Sequence, residues 1–144
     1  MPHELKVVRG KSVNANGDTL IDEGLYPVKY QSHSKPWSLR SRWRMTVTVV
    51  ITKGKHAGLT LETFYSVRDR YGSLPDGRSS RLRRDVIRML GEPTTDLERL
   101  SGLELEAVVK TVRRDIQGQS LSRALQYSKV EILRLRDGYQ EDEL

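Results

Sequence analysis

The chain of 144 residues contains no cysteine and only three histidines. The absence of cysteine excludes disulfides, zinc–thiolate sites and thiol catalysis, and it fits a reducing compartment. The histidines His3, His33 and His56 are scattered, without the spacing of a metal site. No apolar run approaches the ~18 residues of a membrane-spanning helix, and the N-terminus lacks the basic region and apolar core of a secretory signal. We therefore expect a cytoplasmic protein without a cofactor or membrane contact.

Aromatic residues are also few, at 6% of the chain, and the 19 acidic residues are outnumbered by 25 basic ones, giving a net charge of +6. Four of the acids and none of the bases lie in the last eight residues. The sequence thus divides into one basic domain, 1–136, and a short acidic tail, 137–144. We expect the tail to compete with nucleic acid for the basic surface of the domain. A basic domain is typical of proteins that bind a polyanion, with nucleic acid the leading candidate. A basic composition that only maintains solubility is the alternative.

Residues 43–67 predict a long antiparallel hairpin, around which the other elements are arranged. Alternate positions are apolar over 43–51 and again over 59–67, which is the period of half-buried strands. Two glycines between these runs indicate a turn. The polar face of the hairpin is predicted to carry Arg44 and Phe64, so that an aromatic ring lies among cations.

Three further strands and one helix are predicted from similar patterns. The strands cover 24–31, 103–113 and 125–135, and the helix covers Ser79–Leu90. A serine can cap the start of this helix, and Gly91 ends it. The resulting order is that of an all-β protein with one helix, a five-stranded OB-fold-like Greek-key barrel with its helix between strands 3 and 4. A helix-capped sheet of another topology would give the same order of elements.

Several segments resemble the small single-stranded-DNA-binding-like proteins of phages and other mobile elements. The similar segments are Glu23–Tyr26, Val50–Leu61, Leu90–Gly91 and Leu100–Leu105. The resemblance implies an OB-fold and a role in the replication or recombination of an element, with proteins of those processes as partners. The chain departs from well-known single-strand binders in its short tail, which is acidic but ends in Leu144 rather than phenylalanine. Recruitment of partners through the tail is therefore not implied.

Binding of a single strand needs cations that follow the phosphates and aromatic faces on which bases stack. The sequence concentrates both in the hairpin and in two predicted loops, Ser32–Ser41 and Arg68–Arg78. The candidate nucleic-acid-binding residues are Lys35, Trp37, Arg40, Arg42, Trp43, Arg44, Phe64, Arg68, Arg70 and Tyr71. Trp43 is in phase with Met45, so a core position is the alternative for it. The arginines of the helix are expected on a solvated face, with an extension of the nucleic-acid path as the other interpretation.

The sequence offers little for catalysis. The glycines of Gly54–Gly58 lack the Gly-Lys-Ser/Thr ending of a phosphate-binding loop. We therefore expect a non-enzymatic accessory protein that binds single-stranded nucleic acid, DNA before RNA, with little sequence preference. Homo-oligomers are among its expected assemblies. The alternative is an OB-fold adaptor whose basic face meets an acidic protein in an element's replication or defence machinery.

Overall fold

The computed structural model of the protein describes residues 12–75 and 80–136. Over these residues the chain forms six strands and one α-helix. The strands are β1 (Gly24–His33), β2 (Trp37–Leu39), β3 (Arg42–Ile51), β4 (Thr60–Val67), β5 (Leu105–Val112) and β6 (Tyr127–Leu135). The helix α1 (Arg81–Leu90) lies between β4 and β5, and short 3₁₀ helices cover Leu97–Leu100 and Arg123–Leu125.

The six strands form one open antiparallel sheet with β1 at its centre. The first half of β1 pairs with β5, and its second half pairs with β3. Beyond these neighbours, β4 pairs with β3 and β6 pairs with β5. The strands β4 and β6 are therefore the two end strands, and within the part of the chain described here no strand pairing joins them.

The mostly β architecture and the place of the helix between the third and fourth long strands confirm the prediction from sequence. The count of five strands is wrong, because residues 37–39 form the additional strand β2 inside the segment predicted as a loop. This short strand continues the line of β1 and pairs with the start of β3. Arg78, Ser79 and the acidic tail, 137–144, lie outside the described residues.

The hairpin of β3 and β4 has the predicted alternation. On β3, Met45, Val47, Val49 and Ile51 are buried, and the residues between them are half-buried. On β4 the buried positions are Leu61, Thr63, Tyr65 and Val67, and the residues between them are exposed. One face of the hairpin therefore packs into the core, and the other face, here called the outer face, is open to solvent.

The helix α1 ends at Leu90 as its sequence predicts, but it begins at Arg81, two residues after the predicted start. The Ser80 side chain accepts a hydrogen bond from the Arg83 backbone N–H at 3.1 Å, which caps the first turn. Gly91 ends the helix in the left-handed region, at φ 84°. The apolar stripe of Leu82, Val86 and Met89 is buried against the sheet.

A buried carboxylate connects this helix to both end strands. Asp85 lies within the apolar stripe of α1 and is completely buried. It accepts hydrogen bonds from the Tyr65 hydroxyl of β4 at 2.7 Å and from the Leu133 backbone N–H of β6 at 3.3 Å. The third donor is Arg88 Nη1, at 3.1 Å. The helix thus bridges the two strands that do not pair with each other.

Arg81 completes this buried network. Its guanidinium carbon lies 4.4 Å from the centre of the Tyr65 ring, its Nε lies 3.9 Å from the Asp85 carboxylate, and its Nη2 donates to the Thr63 hydroxyl. Burial raises the pKa of the Asp85 carboxyl, while the donors around it favour the charged form. The expectation that the helix arginines lie on a solvated face is therefore wrong for Arg81, which is half-buried and turns towards Asp85, whereas Arg88 stays exposed while it donates to Asp85.

We predict that Asp85→Ala lowers the free energy of unfolding by about 3–5 kcal/mol, because it leaves buried donors and cations without their acceptor. The milder Tyr65→Phe is expected to cost about 1.5–3 kcal/mol, since it removes one hydrogen bond to a charged group. Urea denaturation measures both values. Glu131→Ala, which removes an exposed acid of β6, is the control and should stay within ~0.5 kcal/mol of the wild type. A similarly small effect of both test substitutions would contradict the bridging role of Asp85.

Candidate nucleic-acid interface

The register of the strands decides which candidate residues share a face. Residues directly opposite each other on paired strands point to the same side of a sheet. Trp37 of β2 is opposite Arg44 of β3, and Thr46 of β3 is opposite Phe64 of β4. Trp37, Arg44, Thr46 and Phe64 therefore lie together on the outer face.

Both aromatic side chains of this group are accessible. Phe64, the only phenylalanine of the chain, is 54% exposed. Trp37 is half-buried, and its indole Nε1 donates to the Thr46 hydroxyl at 3.4 Å. This long hydrogen bond places the Trp37 ring beside Thr46, so the two rings flank this threonine from the strands on either side of β3.

Trp43 lies on the opposite face of the hairpin. It is opposite Ser38 on β2 and Val67 on β4, where it is half-buried and packs against the core. The structure thus separates the two tryptophans of the chain. Trp37 belongs to the outer face with the cations, and Trp43 occupies the position that its phase with Met45 favours.

A strained turn at the end of the sheet presents one of the candidate arginines. Arg40 and Ser41 connect β2 to β3, and both have positive φ, at 54° and 68°. Two such residues form the type I′ turn of a tight hairpin, which strongly favours asparagine and glycine. Each left-handed residue other than glycine costs roughly 1–2 kcal/mol. The chain therefore places an exposed arginine where it lowers stability.

Four cations near the turn between β2 and β3 share one property: no described residue supplies their side chains with a hydrogen-bond or ion-pair partner. They are Lys35, Arg40, Arg42 and Arg44, here called the hairpin cations. Arg44 also has a buried Nε that lacks a hydrogen bond. Many other basic residues are paired; Lys29 Nζ, for example, lies 3.4 Å from Glu104 and Arg134 Nη2 lies 2.6 Å from Glu106.

The remaining candidates lie in the loop that follows β4. Tyr71 is 73% exposed, and the Arg70 guanidinium both donates to its hydroxyl at 2.8 Å and lies 5.0 Å from its ring centre. A Cβ at Gly72 would lie 3.4 Å from the Pro36 ring. The loop of Arg68, Arg70 and Tyr71 is therefore adjacent to the segment that carries Lys35.

The sequence did not reveal β2 or the strained turn. The side-chain clusters of the described residues include no group of three or more histidines and acids that could hold a metal ion. Within residues 12–75 and 80–136, no helix is long and apolar enough to cross a membrane.

We predict that Ser41→Gly stabilises the protein by about 1 kcal/mol, because glycine adopts positive φ without steric cost. The same change at Ser38 should instead lower stability by about 0.5–1 kcal/mol, since glycine weakens a strand. Chemical denaturation of both variants measures the two effects. Destabilisation by Ser41→Gly would show that the turn is not strained.

Comparison with known proteins gives no match: no family model fits the sequence, and no curated protein or solved structure is similar to the chain.

Proposed function

We propose that the chain binds single-stranded nucleic acid, DNA before RNA, on the outer face of β2, β3 and β4, with little sequence preference and no catalysis. The observation that carries this proposal is the group of hairpin cations to which no described residue gives a counter-charge, next to the accessible rings of Trp37 and Phe64. A polynucleotide supplies a partner for each group. Its anionic phosphates can pair with the cations, and the faces of its bases can stack on the aromatic rings.

The cations account for affinity and for its dependence on salt. Four like charges close together repel each other, and this repulsion is relieved when phosphates bind between them. Binding then releases the counterions of the strand, so affinity falls steeply as salt is added. Such contacts follow the backbone rather than the base edges, which is the reason for low sequence preference.

The aromatic rings account for recognition of a single strand. Trp37 and Phe64 lie on the strands to either side of β3, and adjacent strands are about 4.8 Å apart. The rings are thus separated by about 10 Å across the sheet, so each can stack on a different base. In a duplex the bases are paired and stacked on each other, and these rings would not reach their faces.

The fold is consistent with this use. The order of the long strands and the helix, and the bridging of β4 and β6 by α1, support an OB-like barrel that is partly open between its end strands. An accessory role in the replication or recombination of a mobile element, which the sequence resemblance implies, is part of this proposal.

The test is titration of labelled single-stranded and duplex DNA at two salt concentrations. We expect preference for the single strand, and a loss of roughly 1–3 kcal/mol in binding free energy for Trp37→Ala with little change in salt slope. Arg42→Ala should instead lower the salt slope by about 0.7, because one phosphate contact is lost.

Trp43→Ala provides the contrast between the tryptophans. Because Trp43 packs against the core, we expect its main effect on stability rather than on the binding of the protein that remains folded. If the wild type binds neither single-stranded DNA nor RNA at ~50 mM salt, where phosphate contacts are strongest, the proposal is wrong. The hairpin cations would then favour the adaptor with an acidic protein partner.

A further inference from the structure

A second group of basic side chains, with two acids, lines a pocket at the end of β3 that lies away from the hairpin cations. The pocket has a volume of about 630 Å³ and lies between the turn that follows β3 and the connection from β5 to β6. Its charged and titratable lining residues are Lys55 and His56 from the turn, Arg113 and Arg123 from the connection, and Asp22 and Glu23 from the segment before β1. This volume lies within the range of small-molecule sites, so a phosphate with its attached sugar fits.

Three cations of the pocket, Lys55, Arg113 and Arg123, outnumber its two acids, Asp22 and Glu23, so its net charge is positive. Lys55 and Arg123 are exposed and have no hydrogen-bond or ion-pair partner for their side chains among the described residues. Arg113 is positioned by Glu23, whose carboxylate accepts from Arg113 Nη1 at 3.1 Å and from the Thr111 backbone N–H at 2.7 Å. These two donors hold the pKa of Glu23 below its usual range. Glu23 therefore stays charged and fixes Arg113, which keeps other N–H donors available.

The pocket and the hairpin cations lie at opposite ends of one strand. Arg42 begins β3 and Ile51 ends it, and nine steps of a strand span about 30 Å. Between these ends the outer face carries Thr46, Thr48 and Phe64, and Glu62 lies opposite Thr48. The acid in the middle disfavours phosphates there, so the favourable electrostatic contacts are concentrated at the two ends.

We propose that this pocket is a phosphate-binding anchor for the same strand of nucleic acid that the hairpin cations bind. The inference rests on the proposed function and extends it by assigning a second contact and a length to the site. A strand that reaches from Arg42 to Lys55 engages two anchors, and the second contact forms at a high effective concentration. A strand too short to span β3 engages one anchor at a time.

The experiment compares oligothymidylates of about 4 and about 12 nucleotides, within the range of site sizes of comparable domains. For the wild type we expect the longer strand to bind roughly 100-fold tighter or more, as two linked contacts do. In Lys55→Ala/Arg123→Ala this gain should fall to about tenfold or less, the part that comes from the many registers of a long strand. Fluorescence anisotropy gives each ratio from two titrations.

The control is Arg83→Ala/Arg99→Ala, which removes the same charge from α1 and the following 3₁₀ helix. This control should retain the wild-type increase in affinity with strand length. Circular dichroism establishes that both double variants are folded. An unchanged gain in Lys55→Ala/Arg123→Ala, or an equal loss in the control, overturns the pocket as an anchor while the proposed function stands. No binding of either strand by the wild type overturns both.

Discussion

The carboxylate of Asp85 is the constraint on which the rest of the structure depends. A buried charge is costly unless donors surround it, and here the donors come from β4, from β6 and from the helix itself. Because β4 and β6 do not pair with each other, this side chain joins the two ends of the open sheet. The pairing of β4 with β3 places Phe64 on the outer face, and the contacts of Asp85 hold the opposite face of β4 against the helix and β6.

Asp85 also shapes the distribution of charge over the surface. It engages Arg81 and Arg88, so two arginines of the most basic stretch already have a counter-charge. Glu104 and Glu106 neutralise further basic residues along β1 and β6. The hairpin cations are among the basic residues that receive no counter-charge from the described part of the chain, and the strained turn that presents Arg40 adds a cost in stability at the same place. The case for a polyanion ligand thus rests on where positive charge is unpaired, which the net charge of the chain does not show.

Local patterns were enough to predict the long strands, the cap of the helix and its glycine stop, because each depends on neighbouring residues. The strand β2 could not be predicted, because the turn that precedes β3 is formed by Arg40 and Ser41, and neither is the asparagine or glycine that favours a type I′ turn. The face of Trp43 follows the alternation of its own strand, whereas the face of Trp37 depends on the register between β2 and β3, which a single segment does not contain. Asp85 did leave a signal: it shares the helical stripe of Leu82, Val86 and Met89, and an acid at such a position indicates a buried partner.

The central claim is that a single strand of nucleic acid lies on the outer face among the hairpin cations. The most direct measurement is the change in backbone amide chemical shifts of isotope-labelled protein as oligothymidylate is added. The account predicts that the largest changes fall on residues 35–46 and around Phe64, and that the amides of α1 change little. Saturable binding with its largest changes on α1 or the 3₁₀ helix Leu97–Leu100, or no changes at all at low salt, would contradict it.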